Sequence, residues 1–241
     1  MAAAPSRHET IADRLRGEIL RGAYPAGVRL PPERELAVQH GAHRSSVREA
    51  LRKLEQSGLI EIRHGDGATV QPLPRASLDV VRHLLVLDGS VNRPVLEQVL
   101  DVHEMLIVGA ARLAIEHGSE SQLTRARELL AQLAQPDTSD DDFLDTMEAL
   151  LGLIAESSGN LVLQMARGAL RPIFEDRFRE ARKRLRPTAS EMAGVVGDLD
   201  DAVRTRDADR AESSLRSFVR AGRGRALDAI ETLARQPGEP R

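Results

Sequence analysis

Four polar side chains begin one predicted helix near the N-terminus. Arg44, Ser45, Ser46 and Arg48 fall in the first turns of HRSSVREALRKLEQSG, and apolar residues then recur at helical spacing. The first backbone N–H groups of a helix lack partners within the helix, and its dipole favours negative charge there. Guanidinium groups bond phosphates and the guanine edge, and small hydroxyls permit close approach. This helix end therefore suits the backbone and base edges of duplex DNA.

The neighbouring segments predict a helix-turn-helix followed by a hairpin. The spacing of apolar residues predicts helices at 8–21, 33–40 and 44–57 and strands at 59–63 and 68–71. Gly41 and Gly58 are expected to end the second and third helices. Arg34, on the middle helix, is expected to face the same way as Arg44 and Arg48. The hairpin carries His64 and Gly65 at its tip and would act as a wing against a neighbouring groove.

A plain helical hairpin with a solvated, charged face would produce the same local pattern. In that interpretation Ser45 or Ser46 only starts the helix. The acidic residues of the two helices would also repel phosphate if they faced it. These residues are Glu33, Glu35, Glu49 and Glu55.

Composition limits the other classes of function. The net charge is −3, but residues 1–75 hold twelve Lys/Arg against nine Asp/Glu, so the positive charge lies in the N-terminal third. Aromatic residues make up 2% and Trp is absent, which counts against a stacking platform for single strands. There are no cysteines, and we see neither a signal peptide nor an apolar run of about 20 residues. We therefore expect a cytoplasmic protein that makes no contact with membranes.

The rest of the chain predicts an all-helical domain. Apolar residues recur at helical spacing in about 78–88, 94–117, 120–135, 140–158, 160–186, 188–206 and 208–235. The predicted fold is mainly α: a winged helix-turn-helix of three helices plus a β-hairpin, then an all-α bundle of six or seven helices. The predicted domains are 1–72 and 78–241, with a linker at 73–77.

The N-terminal third closely resembles the winged helix-turn-helix of GntR-family bacterial repressors. The resemblance lies in LPPERELAVQHGAHRSSVREALRKLEQSGLIEIRHGDGATV, from Leu30 to Val70. It implies that the following residues contact operator DNA, with the arginines serving phosphates or guanines and the histidine belonging to the wing: Arg34, Arg44, Ser45, Ser46, Arg48, His64 and Gly65.

The helical remainder is similar to the FCD-type effector and dimerisation domain of the FadR subfamily. The segments LEQVLDVHEMLIVGAARLAIEHG, GLIAESSGNLVLQM and DAVRTRDADRAESSLRSF carry this similarity. Many such domains bind a divalent metal through an Asp-x-x-x-His pair and two later histidines. In this sequence those positions fall at Met147, Leu151, Val195 and Ser217, which do not form a ligand set. We therefore expect no metal, no cofactor and an apolar surface there.

The resemblance also locates the expected effector contacts. The effector-binding arginine of the family aligns with His103, and a neutral imidazole holds a carboxylate more weakly than a guanidinium does. Together with Met147, Leu151 and Val195, this predicts an apolar effector such as a fatty acyl-CoA or fatty acid. In the other interpretation His103 is an ordinary hydrogen-bonded residue without a ligand.

The expected function is a ligand-responsive transcriptional repressor that binds a palindromic operator on double-stranded DNA as a homodimer. One alternative is a regulator of the same fold that responds to a small carboxylate metabolite. A second is an enzyme using His103 and Glu104, and a third is an interaction module that has lost its ligand. We expect no catalytic residues, since HGDGATV lies in a hairpin and no helix follows it as a dinucleotide motif requires.

Overall fold

The computed structural model describes residues 6–63, 65–87, 89–175, 183 and 186–234. Its contacts divide the chain into two compact units, residues 1–87 and 88–241. Residues 78–87 thus pack with the first unit. That residues 73–77 form the linker between the two functional domains stays a prediction.

The first unit is a winged helix-turn-helix, as the sequence predicts. It consists of α1 (Arg7–Leu20), α2 (Glu33–Gln39), α3 (Arg44–Gln56), β1 (Ile60–Arg63) and β2 (Gly67–Val70). The two strands pair antiparallel, with Ile60 opposite Val70 and Arg63 opposite Gly67. Arg29 forms an isolated bridge to Thr69, so the chain before α2 runs along the hairpin.

One apolar core holds this unit together. Leu15, Leu36 and Leu54 come from the three helices and are all 0% exposed. Tyr24 packs against the same core. Gly58, which follows α3, has a φ of +70°, and a Cβ placed there would lie 2.5 Å from the backbone oxygen of Arg75. Only glycine fits such a position without displacing backbone.

The segment predicted as a helix at 78–88 is shorter and more irregular than expected. It forms a 3₁₀ turn at Leu78–Val80, then α4 (Val81–Leu85) and a two-residue strand β3 (Val86–Leu87), and a second two-residue strand, β4 (Ser90–Val91), follows. The β-branched residues at 80, 81 and 86 fit an extended backbone as well as a helix, which is why spacing alone misjudged this stretch. The expectation that the chain is entirely helical from residue 78 was therefore wrong for this short segment.

The second unit is an all-helical bundle. Its described helices are α5 (Arg93–His117), α6 (Glu120–Leu133), α7 (Asp140–Ser157), α8 (Leu161–Glu175), α9 (Ala189–Thr205) and α10 (Ala208–Ala234). Side-chain caps begin several of them. Asn160, for example, accepts the N–H of Leu163 at 3.0 Å and so starts α8. No described helix is both long and apolar enough to cross a bilayer.

The long helices α5 and α10 are joined by ion pairs. Arg112 on α5 pairs with Asp209 and Glu212 on α10. Further along, the Nε of Arg220 donates to the carboxylate of Glu104 at 2.9 Å. Leu129, Phe143, Leu150 and Val196 lie in an apolar cluster formed by α6, α7 and α9. These helices surround the cavity described below.

Candidate nucleic-acid interface and ligand cavity

The N-terminal end of α3 is open to solvent. Arg44 is its first residue, and the preceding His43 makes no side-chain cap. Arg44 and Ser45 are exposed and Ser46 is half-buried. Within the described residues, the guanidinium of Arg44 has neither a salt bridge nor a hydrogen bond. The predicted polar end of the helix thus presents an exposed cation beside the first backbone N–H groups of α3, an arrangement suited to a phosphate or a base edge.

The two other predicted arginines differ in their contacts. Arg34 on α2 is exposed and, in the part of the chain that the structure describes, has no partner. Arg48 on α3 instead holds the carboxylate of Glu33 with two hydrogen bonds, at 3.0 and 2.9 Å. The side chain of Arg48 remains 57% exposed. Arg48 therefore links α2 to α3 and can still reach outward if it releases Glu33.

This pair also changes the charge state of both groups. The hydrogen bond from Arg48 lowers the pKa of Glu33, and Glu33 raises that of Arg48 in turn. Because a lowered carboxyl pKa favours the ionised form of Glu33, the pair persists to lower pH than it would with an unshifted carboxyl group. Glu33 was expected to matter only as a source of repulsion, and its partner lies fifteen residues away along the chain.

Most of the acidic groups around the interface are likewise engaged. Glu49 pairs with Arg52 at 2.9 Å. Glu55 accepts the backbone N–H of Ile62 at 2.9 Å, which ties α3 to the hairpin. Glu35 is the exception among the four acids, since it is exposed and has no side-chain partner within the described residues. Arginines therefore balance the charges of Glu33 and Glu49, whereas Glu35 and Glu55 keep theirs, so this surface repels phosphate less than four uncompensated carboxylates would.

The wing is held at its tip by an ion pair. Gly65 is exposed, with a φ of +80°, and Gly67 has a φ of +83°. Between them, Asp66 pairs with Arg29. The predicted wing residue His64 lies outside the described residues.

Three of the four predicted effector residues line one cavity in the second unit. Met147 and Leu151 on α7 and Val195 on α9 contribute to a space of about 80 Å³. Ile107 and Met192 line it as well, and its wall is almost entirely aliphatic. Met192, Val195, Val196 and Leu199 repeat at helical spacing on α9, so this face could have been found from the sequence.

His103 does not line this cavity. It lies on α5, half-buried, and α5 reaches the cavity one turn later, at Ile107. The neighbouring Glu104 is only 8% exposed and is bound by Arg220. The two residues of the enzyme alternative thus sit away from the cavity, and Glu104 serves as half of an ion pair.

The cavity does not fit the metal that many domains of this type hold. Met147, Leu151 and Val195 occupy three of the four corresponding positions, and aliphatic and thioether side chains supply no oxygen or imidazole donors. Ser217, at the fourth, does not line the cavity. Among the described residues, no group of three or more His, Asp or Glu could hold an ion. The donor chemistry here is therefore that of an apolar pocket.

Comparison with known proteins assigns both units. Residues 7–70 match the family described as bacterial regulatory proteins, gntR family, and residues 98–221 match the FCD domain. HTH-type transcriptional regulator Mce2R of Mycobacterium tuberculosis is 32% identical, over 69% of this chain and 70% of its own length. HTH-type transcriptional repressor NanR of Salmonella schwarzengrund is 29% identical, over 88% of this chain and 81% of its own.

The fold is also found in a solved structure. Lar, which controls the expression of the Listeria monocytogenes agr system, superposes with a TM-score of 0.54 at 15% identity, covering 94% of this chain and 99% of Lar. At that identity the likeness concerns the fold alone. The domains and relatives, by contrast, are those of transcriptional regulators and not of enzymes. This chain belongs to the GntR family of bacterial regulatory proteins and carries an FCD domain, so it is a transcriptional regulator that binds DNA and a small-molecule effector.

Proposed function

We propose that this regulator is a dimeric repressor of a palindromic operator and that it responds to a mainly apolar effector. The observation that carries the effector class is the aliphatic cavity where Met147, Leu151 and Val195 converge. Apolar surface removed from water contributes about 25 cal/mol per Å², whereas an unpaired ion in such a wall is strongly disfavoured.

The proposed contacts with DNA follow the open end of α3. Arg34 and Arg44, which are exposed, would bind phosphates or guanines, and Ser45 and Ser46 would allow the helix to approach the base edges. Arg48 would join them after exchanging Glu33 for a phosphate.

The hairpin completes the proposed interface. Gly65, with no side chain, would lie against the adjacent groove together with His64. Two copies of this surface related by a two-fold axis would match the two half-sites of a palindrome, which is the reason to propose a homodimer.

The polarity of the cavity lining allows the candidate classes of effector to be ranked. A fatty acyl-CoA or fatty acid has an apolar chain that suits the wall, but its charged groups would have to remain outside. A small carboxylate metabolite is disfavoured, because within the described residues no charged side chain lines the cavity. The ligand alters operator affinity only to the extent that it binds the DNA-competent and DNA-free forms unequally.

The test begins with selection of fragments that the protein binds from genomic DNA. On a recovered operator, Arg44→Ala should cost about 1–3 kcal/mol if Arg44 contacts a guanine. The matched control is Arg52→Ala, which removes a guanidinium from the same helix that is already paired with Glu49. An equal loss on unrelated duplexes would make Arg44 a phosphate contact instead, and no loss on any duplex would remove it from the interface.

A further inference from the structure

One polar group in the wall of the effector cavity is uncommitted. Gln122 and Ser157 are the polar residues that line it within the described part of the chain. The amide oxygen of Gln122 accepts both the backbone N–H and the hydroxyl of Ser119, each at 3.0 Å, so it belongs to the cap of α6. The hydroxyl of Ser157 is buried and, among the described residues, has no hydrogen-bond partner.

The adjacent Ser158 shows that an unpaired hydroxyl is not a general property of this end of α7. Ser158 is 1% exposed, and its hydroxyl donates to the backbone oxygen of Ala155 at 2.6 Å and accepts the N–H of Asn160 at 3.2 Å. Ser157 is 6% exposed and makes no such bond back to its own helix. Buried hydroxyl groups are nearly always paired. Because Ser157 lines the cavity and its hydroxyl is bound to nothing within the described residues, rotation about its Cα–Cβ bond can turn the hydroxyl toward a partner that enters the cavity.

A water molecule is a poor candidate for that partner. An ordered internal water normally makes two to four hydrogen bonds, and cavities with aliphatic walls stay dry. Here Ser157 offers one polar atom, the amide oxygen of Gln122 is already bonded to Ser119, and other lining residues such as Leu150 and Val196 offer none. A ligand with its own apolar body can use the single hydrogen bond and fill the rest of the space.

The wall also limits the charge and the size of that ligand. Since, across the described residues, no Arg, Lys, Asp or Glu lines the cavity, an ionised group inside it would be uncompensated. The volume of about 80 Å³ is roughly half of the 150 Å³ that accepts benzene in an engineered core. Met147 and Met192 are flexible enough to adjust the shape of the cavity without a polar cost.

We propose that the cavity binds a short, uncharged aliphatic molecule with a single hydrogen-bonding oxygen, an alcohol or ketone, whose oxygen meets the hydroxyl of Ser157. This inference rests on the proposed function, since it names the chemical class that the effector site takes. Ser157 would then determine specificity, because it is the group that distinguishes an oxygen-bearing ligand from a hydrocarbon of the same size.

The methionines allow a direct test by NMR of ¹³C-methyl-labelled protein. Met147 and Met192 line the cavity, whereas Met105 and Met165 are 64% and 66% exposed and serve as internal controls. The full-length protein is titrated with 2-butanone, n-butane and sodium butanoate at pH 7. We expect 2-butanone to shift the Met147 and Met192 signals and leave the two control signals in place, and butanoate to bind at least about 100-fold more weakly.

Two variants separate the hydrogen bond from the shape of the cavity. Ser157→Ala should remove the preference for 2-butanone over n-butane, a loss of about three- to tenfold, while still binding n-butane. Its melting temperature should not fall, because the hydroxyl has no partner within the described chain to lose. Ser158→Ala is the matched control and should keep the preference while lowering the melting temperature.

Several outcomes would overturn the inference. Butanoate binding as tightly as 2-butanone, an unchanged preference in Ser157→Ala, or unmoved Met147 and Met192 signals with all three probes would each do so. Binding to duplex DNA is measured on the same preparation. Failure of the ligand-free protein to bind duplex DNA, with the methionine shifts on addition of 2-butanone intact, would count against the proposed function and not against the cavity's ligand class.

Discussion

The contact between Arg48 and Glu33 makes a prediction about DNA binding that does not require knowledge of the operator. Glu33→Gln removes the carboxylate that holds Arg48 and frees its guanidinium for a phosphate. The matched control is Glu35→Gln, which removes the same charge two residues away on α2, where no side-chain partner is lost within the described residues. Because Arg48 and Glu33 are 57% and 34% exposed, breaking the pair should cost only about 0–1 kcal/mol of stability.

The size of the effect follows from counterion release. Each phosphate neutralised steepens the dependence of log affinity on log salt by about 0.9. Releasing Arg48 adds one such contact for each α3 helix on the DNA. Between 200 and 50 mM salt, the gain in affinity should then exceed that of the wild type by about 3.5-fold per helix. Glu35→Gln raises the general attraction for DNA but adds no contact, so its slope should match the wild type.

Fluorescence anisotropy with a labelled duplex of arbitrary sequence measures these slopes directly. The reasoning about Arg48 is refuted if Glu33→Gln and Glu35→Gln have the same slope. If the salt dependence of Glu33→Gln were shallower than that of the wild type, the carboxylate of Glu33 would position Arg48 for DNA instead of competing with DNA for Arg48.

Two further predictions concern the first unit. Gly58→Ala should lower the free energy of unfolding by about 2–5 kcal/mol, because the new Cβ would clash with the backbone of Arg75 and the residue would keep a positive φ. Gly27 also has a positive φ but open space around it, so Gly27→Ala should cost only about 1–2 kcal/mol. Equal losses of the two variants in urea unfolding would contradict this reasoning. Hydrogen bonds from the backbone and hydroxyl of the helix cap, and then Lys53, lower the pKa of Glu9 from 4.5 to about 2. The contribution of the Glu9 carboxylate to stability should therefore be complete above pH 4.5 and disappear as the pH falls through about 2. Glu9→Gln should lack that pH dependence. Parallel pH profiles of melting temperature for the wild type and Glu9→Gln would contradict this role of Glu9.

The sequence predicted local elements well because their signals are local. Gly41 and Gly58 punctuate the helices, so the predicted ends of α2 and α3 at 40 and 57 lie one residue from the observed Gln39 and Gln56. The failure at 78–88 arose where the same β-branched residues suit a 3₁₀ turn, a short helix or a strand.

The parts of the site that escaped prediction depend on contacts between distant segments. The pairing of Arg48 with Glu33 requires the crossing of α2 and α3, and the sequence showed only two charges. The string ESSGN also does not show that Ser158 bonds back to its own helix whereas Ser157 lines the cavity without such a bond. By contrast, the convergence of Met147, Leu151 and Val195 was predictable, because the family resemblance located them from motifs at the ends of α7 and α9.

The packing of Tyr24 against the core of the first unit has a practical consequence for spectroscopy. The chain contains one tyrosine and no tryptophan, so its intrinsic fluorescence originates from that single ring. Emission during denaturation should therefore follow the disassembly of the DNA-binding head, while far-ultraviolet circular dichroism is dominated by the long helices of the other unit. Comparing the two midpoints would show whether the halves of the molecule melt together or one after the other.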